Sequence, residues 1–479
     1  MKKKAIRGLV WNLLDKLISQ LGNIALTIYI ARSIGPEAYG LIGMLTIFML
    51  LADTVVNGGF ANTLIQRSQH LTEDEASTVF WITQVWGVAI YIILYLTAPI
   101  IANYYRHPEL SQIARVLFIV IIINSATVVA RAKLTINLNF KSFAIANTIA
   151  TIISSVATIL MVHFGYGYWA LVSLMICKAL VSSICICMYC RWVPRCHFKR
   201  ESFEALFGFG SKLMMADFVA SLVNNLYVVV IGRYYNATNV GYFTQATNLS
   251  NYLSQFIAST LQGVTYPIMT SIQEDRERLI KIYKQLISLT MVISLPLLIG
   301  FSAIASDVIS LTLGKEWLPT VDVLVALCIA RTVTPISTLN LNILNAIGRS
   351  DLFLKVDLSK LPLTLGALFV SIPYGIEGLA WAIVCTSFIA FFINSWYPGK
   401  IFGYGGIAQL KQSIPYFVAS GIMYFIIIKI NLEISIISLI IKISIGGLIY
   451  ITILAIMQDI WIEKIWDYIR RKINDRCKV

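Results

Sequence analysis

The sequence predicts an all-α integral membrane protein: two parallel six-helix lobes around a central cleft plus an extra C-terminal helix pair, about fourteen spans in all. Three observations predict this. First, 58% of the 479 residues are hydrophobic and only 13% are charged, whereas a soluble domain carries about a quarter charged residues. Second, the apolar residues come in blocks of about 20, the length that crosses a hydrocarbon layer about 30 Å thick; the mean hydropathy is +0.76. Third, the basic residues are sorted between alternate connections, as the positive-inside rule requires.

The expected spans have approximate limits of 9–31, 40–64, 79–102, 112–134, 143–163, 167–190, 206–231, 240–264, 282–304, 319–346, 355–373, 377–397, 413–430 and 434–457. Turn signals separate several of them: Gly35-Pro36, Gly165-Tyr166-Gly167, Pro373-Tyr374-Gly375 and Pro398-Gly399. With a cytoplasmic N-terminus, twenty-seven Lys and Arg fall in cytoplasmic segments and five on the opposite side. That bias puts both termini in the cytoplasm. No cleavable leader is read after Met1-Lys2-Lys3-Lys4, because the next segment runs on into a span.

An internal repeat organises the chain. Arg32 and Gly40 match Arg233 and Gly241 at an offset of 201 residues, and Asn23 matches Asn224 at the same offset. Tyr166-Gly167 and Tyr374-Gly375 match at 208. Each segment occupies the same place in its half. We therefore expect lobes at 1–200 and 201–400, with 401–479 as the extra pair and a basic tail. Six spans is an even number, so the lobes share one orientation and the repeat is parallel. Such repeats suit alternating access to a site between them.

Composition also excludes classes of function. The net charge of +14 lies between apolar blocks, with no basic domain to hold nucleic acid. Cys185, Cys187, Cys190, Cys196 and His197 cluster, but their spacing matches no zinc pattern, and small apolar residues at a helix end account for them. No metal or other cofactor is expected. No Ser-His-Asp arrangement, P-loop or dinucleotide fingerprint sits in a suitable context, and Gly403-Tyr404-Gly405-Gly406 reads as a loop. The chain is not expected to be an enzyme.

Trp11, Ala31-Arg32-x-x-Gly35-Pro36-x-x-Tyr39-Gly40, Gly58-Gly59-Phe60, Ile231-Gly232-Arg233, Val240-Gly241-Tyr242-Phe243, Tyr266-Pro267 and Gln273-Glu274-Asp275-Arg276 together resemble the bacterial polysaccharide transporter family. Its Wzx-like members are flippases for lipid-linked oligosaccharides. They share a superfamily with multidrug and toxin extrusion proteins and with the peptidoglycan lipid flippase. The resemblance covers roughly 5–460, and it implies a polyprenyl-pyrophosphate-linked oligosaccharide as substrate. That lipid would be turned from the cytoplasmic to the outer face of the inner membrane for O-antigen, capsule or exopolysaccharide assembly. A proton or sodium ion, membrane lipids and the polysaccharide polymerase machinery are further partners, and a monomer is expected. The alternatives are an ion-coupled multidrug or small-molecule antiporter and, in another class, a membrane glycosyltransferase or polymerase.

A charge at the membrane centre costs about 2.5–3.5 kcal/mol on insertion scales, so each needs a reason. Pyrophosphate demands cations and donors. Lys16, Lys212 and Arg331 are the candidates, with snorkelling to head groups as the alternative for the two lysines. The amides Gln20, Asn23, Asn224, Asn225, Asn248 and Gln255 suit sugar hydroxyls. They equally suit hydrogen bonding between helices. Asn248, Asn251 and Gln255 share one helix face. Asp53 and Asp217 are the candidates for ion coupling, or else each pairs with a lysine. Lys178 and Lys442 read as packing residues.

Overall fold

The computed structural model describes residues 2–57, 59–67, 71–195, 199–272 and 275–464. Among them the regular structure is helical throughout, without strands. In lipid every backbone polar group must find its partner within the protein, and a helix does this within one segment. Nine helical stretches are long and apolar enough to cross a membrane among the described residues, or ten if one bent pair is counted as a span. The expected fourteen is larger partly because the stretch Asp351–Phe402, with 52 residues, holds two of the expected spans.

The chain forms two compact units, Met1–Gly241 and Tyr242–Val479. The first holds α1 (Lys2–Asn57), α2 (Phe60–Gln66), α3 (Glu73–Tyr105), α4 (Glu109–Leu117), α5 (Ile119–Ser125), α6 (Val128–Ile136), α7 (Phe140–His163), α8 (Trp169–Cys190) and α9 (Arg200–Tyr234). Helix α1 holds the first expected span and most of the second, as far as Asn57. They are joined without a loop at Gly35, whose φ of 78° and ψ of 173° break the helix. A side chain would resist that backbone conformation, and Pro36 restarts the helix where a missing N–H costs nothing.

Residues 109–136, which contain the expected span 112–134, form three helices, with a bend of 40° between Ser125 and Val128. The bend lies at Asn124-Ser125-Ala126-Thr127. There the Ser125 hydroxyl donates to the Ile122 carbonyl at 2.7 Å, and Thr127 Oγ1 donates to the Asn124 carbonyl at 2.9 Å. Hydroxyls that occupy carbonyls in this way are a recognised cause of kinks. Helix α3 starts on a capping box: Thr72 Oγ1 accepts from the Glu75 N–H at 3.2 Å, and Glu75 Oε2 accepts from the Thr72 N–H at 3.1 Å.

Helix α9 packs on α1, α2 and α3, so the first compact unit runs about forty residues beyond the repeat boundary read from the sequence. The start of the next helix, α10 (Ala237–Ser271), explains the repeated glycines. A Cβ on Gly40 would lie 1.7 Å from the Ala237 carbonyl oxygen, and a Cβ on Gly241 would lie 2.1 Å from that of Pro36. Pro36 and Ala237 are themselves 201 residues apart, so the contact is reciprocal under the repeat offset. Glycine at both positions lets the two backbones touch. The repeated arginine has a structural use too: Arg233 Nη1 donates to the Tyr104 carbonyl at 2.6 Å, at the C-terminal end of α3. A cation there meets free carbonyls and the negative end of the helix dipole.

The second unit holds α11 (Arg276–Ala303), α12 (Ala305–Thr312), α13 (Thr320–Arg331), α14 (Thr334–Ala346), α15 (Ser350–Ser359), α16 (Leu361–Ser371), α17 (Gly375–Phe402), α18 (Gly406–Lys429) and α19 (Ile436–Ile456). Gly403-Tyr404-Gly405 is the link between α17 and α18, as expected for a loop. The last two helices are built into this unit. Helix α18 lies along α11, and α19 contacts α11, α12 and α18. Lys442 Nζ lies 2.5 Å from Asp307 Oδ2, with side-chain exposures of 10% and 13%. An ion pair this buried binds α19 to α12, because removing either partner strands a charge, at about 3–5 kcal/mol.

Candidate functional site

In the first unit the bend after α5 redirects α6 so that Arg131 and Asp53 come within electrostatic range of each other. Asp53 is half-buried on the second half of α1. Its carboxylate accepts from Asn57 Nδ2 at 2.9 Å and from the Asn124 side chain. Arg131 is exposed and its Nε donates to Thr127 Oγ1 at 3.2 Å. The result is a carboxylate held by two amides and faced by a cation, whose own Nε is held by a hydroxyl of the bend. Such a group can exchange a proton or a small cation, and its charge state alters the field at the guanidinium.

In the second unit Arg331 ends α13, at the break before α14. It is half-buried, and its Nε is buried without a hydrogen-bond partner. Among the described residues, the one titratable neighbour that influences it is Cys328. A guanidinium with no carboxylate in reach is a strong fork-shaped donor for phosphate. A polar cluster elsewhere in the same unit behaves differently. Asn340 and Gln409 exchange amide hydrogen bonds at 3.0 Å in both directions. Tyr283 donates to Asn340, and Gln409 also donates to the Tyr404 carbonyl at 3.0 Å. These groups satisfy one another, so the cluster specifies how α11, α14 and α18 pack.

The other expected residues divide in two. Lys16, Gln20 and Asn23 lie on α1, and Lys212 and Asn224 on α9, but their side chains lie outside the described residues. So do Gly58, Cys196, His197, Gln273, Glu274 and the tail 465–479. Among the rest, Asn225 donates to the Ser221 carbonyl of its own helix at 2.8 Å. Asn248 is half-buried and Gln255 exposed on α10, and Asp217 is exposed on α9. The structure thus brings Asp53 together with Arg131, and leaves Asp217 on the surface of α9.

Comparison with known proteins decides the family. A family model described as "Polysaccharide biosynthesis protein" matches residues 29–322, more than half of the chain. The chain belongs to the polysaccharide biosynthesis protein family. Among its relatives, the succinoglycan biosynthesis transport protein ExoT of Rhizobium meliloti (strain 1021) is 22% identical, covering 98% of this chain and 96% of that protein. The lipopolysaccharide biosynthesis protein WzxC of Escherichia coli (strain K12) is 24% identical over 77% of this chain and 75% of its own length. Among solved structures, the lipid II flippase MurJ in an inward closed conformation superposes with a TM-score of 0.76 at 16% identity, covering 94% of this chain and 98% of that chain. That likeness shows the fold.

For this family member, sequence reading missed Arg131, Asn124 and Asn57. Arg131 falls at the end of an apolar block, where it counts with the cytoplasmic connections. The signal that could have placed it is the polar run Asn124-Ser125-Ala126-Thr127 inside an otherwise apolar stretch, which marks a bend.

Proposed function

We propose that this protein is a flippase for polyprenyl-pyrophosphate-linked oligosaccharide, working by alternating access and feeding O-antigen, capsule or exopolysaccharide assembly. Family membership and the names of the two relatives, one matched over nearly its full length and one over three quarters of it, support the substrate class. The observation in the structure that carries it is Arg331, a cation held within a span with no carboxylate among the described residues to neutralise it. An antiporter for cationic drugs would gain nothing from such a group. A lipid pyrophosphate would, because its charge must be met by donors while it crosses a low-dielectric region.

In this reading the lobes 1–200 and 201–400 rock about the substrate, and α18 and α19 brace the second of them. Lys16, Lys212 and Arg331 meet the pyrophosphate; Gln20, Asn23, Asn224, Asn225, Asn248 and Gln255 meet sugar hydroxyls. Asp53 is the coupling residue. When it binds a proton, the field at Arg131 becomes more positive, and that guanidinium too is available to the anion. Asp217, exposed on α9, is the second acidic candidate. The protein acts as a monomer without catalysis in the inner membrane, through fourteen spans with both termini cytoplasmic, and hands its product to the polymerase machinery.

The test is reconstitution. Vesicles holding the purified protein and a fluorescent polyprenyl-pyrophosphate oligosaccharide are treated with a membrane-impermeant quencher. The proposal expects the protected inner-leaflet half of the signal to become accessible with protein and to stay protected without it. Protection unchanged by the protein, across imposed proton and sodium gradients, would remove the flippase reading in favour of antiport.

A further inference from the structure

A groove of about 330 Å³ lies between α15 and α17 of the second unit, lined by Lys355, Ser359, Phe392, Ile393, Trp396 and Tyr397, with Ile389 at its far end. None of its lining residues is among those proposed for transport. Its two ends differ in chemistry. Ile389, Phe392, Ile393 and Trp396 recur at three- and four-residue spacing and share one face of α17. On that face Ile389, Phe392 and Trp396 are 45%, 42% and 61% exposed, so the strip is open to the hydrocarbon around the protein.

The other end is cationic. Lys400 Nζ lies 5.1 Å from the centre of the Trp396 ring, Lys355 lines the groove, and Arg349 is in electrostatic range of Tyr397. The local acids are already engaged: Asp351 with Arg349 at 2.9 Å, and Asp357 with Lys360 at 2.6 Å. Lys355 and Lys400 therefore have no carboxylate partner among the described residues and carry uncompensated charge. From Trp396 to Ile389 is seven residues, about 10 Å along the helix. The groove is thus cationic at a Trp/Tyr/Lys level typical of the membrane interface and apolar for the first stretch below it.

We propose that this groove binds an anionic glycerophospholipid, its phosphate between Lys355 and Lys400 and the start of its chains along Phe392 and Ile389. Basic pockets between spanning helices hold such headgroups. The lining also selects against the transported lipid. Its polar side chains are Lys355, Ser359 and Tyr397, with the indole N–H of Trp396, too few to meet the hydroxyls of an oligosaccharide. A resident phosphatidylglycerol would complete the charge of the site and pack α15 against α17 on their lipid-facing side.

The test is native mass spectrometry of the delipidated full-length protein with phosphatidylglycerol, phosphatidylcholine or a polyprenyl phosphate as probe. Phosphatidylglycerol should remain bound at collision energies that strip phosphatidylcholine. Lys355→Gln and Lys400→Gln should each lower its retention about five-fold, while Lys411→Gln, on a neighbouring basic segment, should leave it unchanged. Equal retention of the two phospholipids overturns the proposal, as does stronger retention of the polyprenyl phosphate or indifference to both groove lysines. Brominated lipids give a second readout that does not depend on the lysine variants. Brominated phosphatidylglycerol should quench wild-type tryptophan fluorescence more than that of Trp396→Phe, and equal quenching of the two would count against the site.

Discussion

Arg331→Ala should lose transport of the lipid-linked glycan by between about ten- and about 150-fold, the range for a hydrogen bond to a charged group, while the folded protein persists at near wild-type level. The two halves of this expectation come from the same observation. Because no carboxylate among the described residues partners Arg331, truncation strands no opposite charge and removes one that is costly to bury. Arg331→Lys should fall between wild type and Arg331→Ala, since lysine keeps the charge but lacks the planar fork that grips phosphate in two places. Surface glycan measured beside membrane-fraction immunoblots separates the outcomes. Wild-type glycan from Arg331→Ala removes this residue from the substrate path. Loss of the protein itself would show that the guanidinium is a packing group.

The second large effect is on folding. Gly40→Ala should destabilise the first unit by about 1–3 kcal/mol or more, in the range of overpacked cores, because its Cβ would sit 1.7 Å from a carbonyl oxygen. Backbone cannot swing aside as a flexible side chain can. Gly241→Ala, at 2.1 Å from the Pro36 carbonyl oxygen, should behave alike, and the two defects together should fall short of their sum, since one crossing is spoiled in both. Gly447 is the control, because a Cβ added there would meet nothing within 4 Å, and Gly447→Ala should be neutral or slightly stabilising. Thermal unfolding in detergent, followed by gel filtration, measures the single variants and the double variant side by side. A Gly40→Ala midpoint equal to that of Gly447→Ala would contradict the reciprocal contact.

What the sequence made legible follows from the range of the signal it carries. The all-helical membrane fold was readable because a bilayer imposes its length on every apolar block, and Gly35-Pro36 and Gly403-Tyr404-Gly405 were readable as breaks because turn chemistry is local. The repeat offset flagged Gly40 and Gly241, although only the structure shows that each touches the other's helix. The bend at Asn124–Thr127 was lost because hydropathy averaged over a window hides three polar residues in an apolar stretch. Arg131 was lost with it. Asp307 and Lys442 are 135 residues apart, and no periodicity links such a pair. The early end of α13 at Arg331 was likewise invisible, since the apolar pattern runs straight through it. Of the candidate site, residue types were legible and partners were not.

The central claim is that the protein moves a glycan-bearing lipid between leaflets, and the most direct measurement is where that lipid collects in its absence. In a deletion strain of the native host, polyprenyl-pyrophosphate oligosaccharide would be extracted from inverted and right-side-out inner-membrane vesicles after treatment with an impermeant glycosidase. The account predicts that the lipid accumulates in a form cleaved only in inverted vesicles, with its glycan on the cytoplasmic face, and that the wild-type gene restores cleavage in right-side-out vesicles. An unchanged lipid pool, equally cleaved from both sides and accompanied by normal surface polysaccharide, would contradict it.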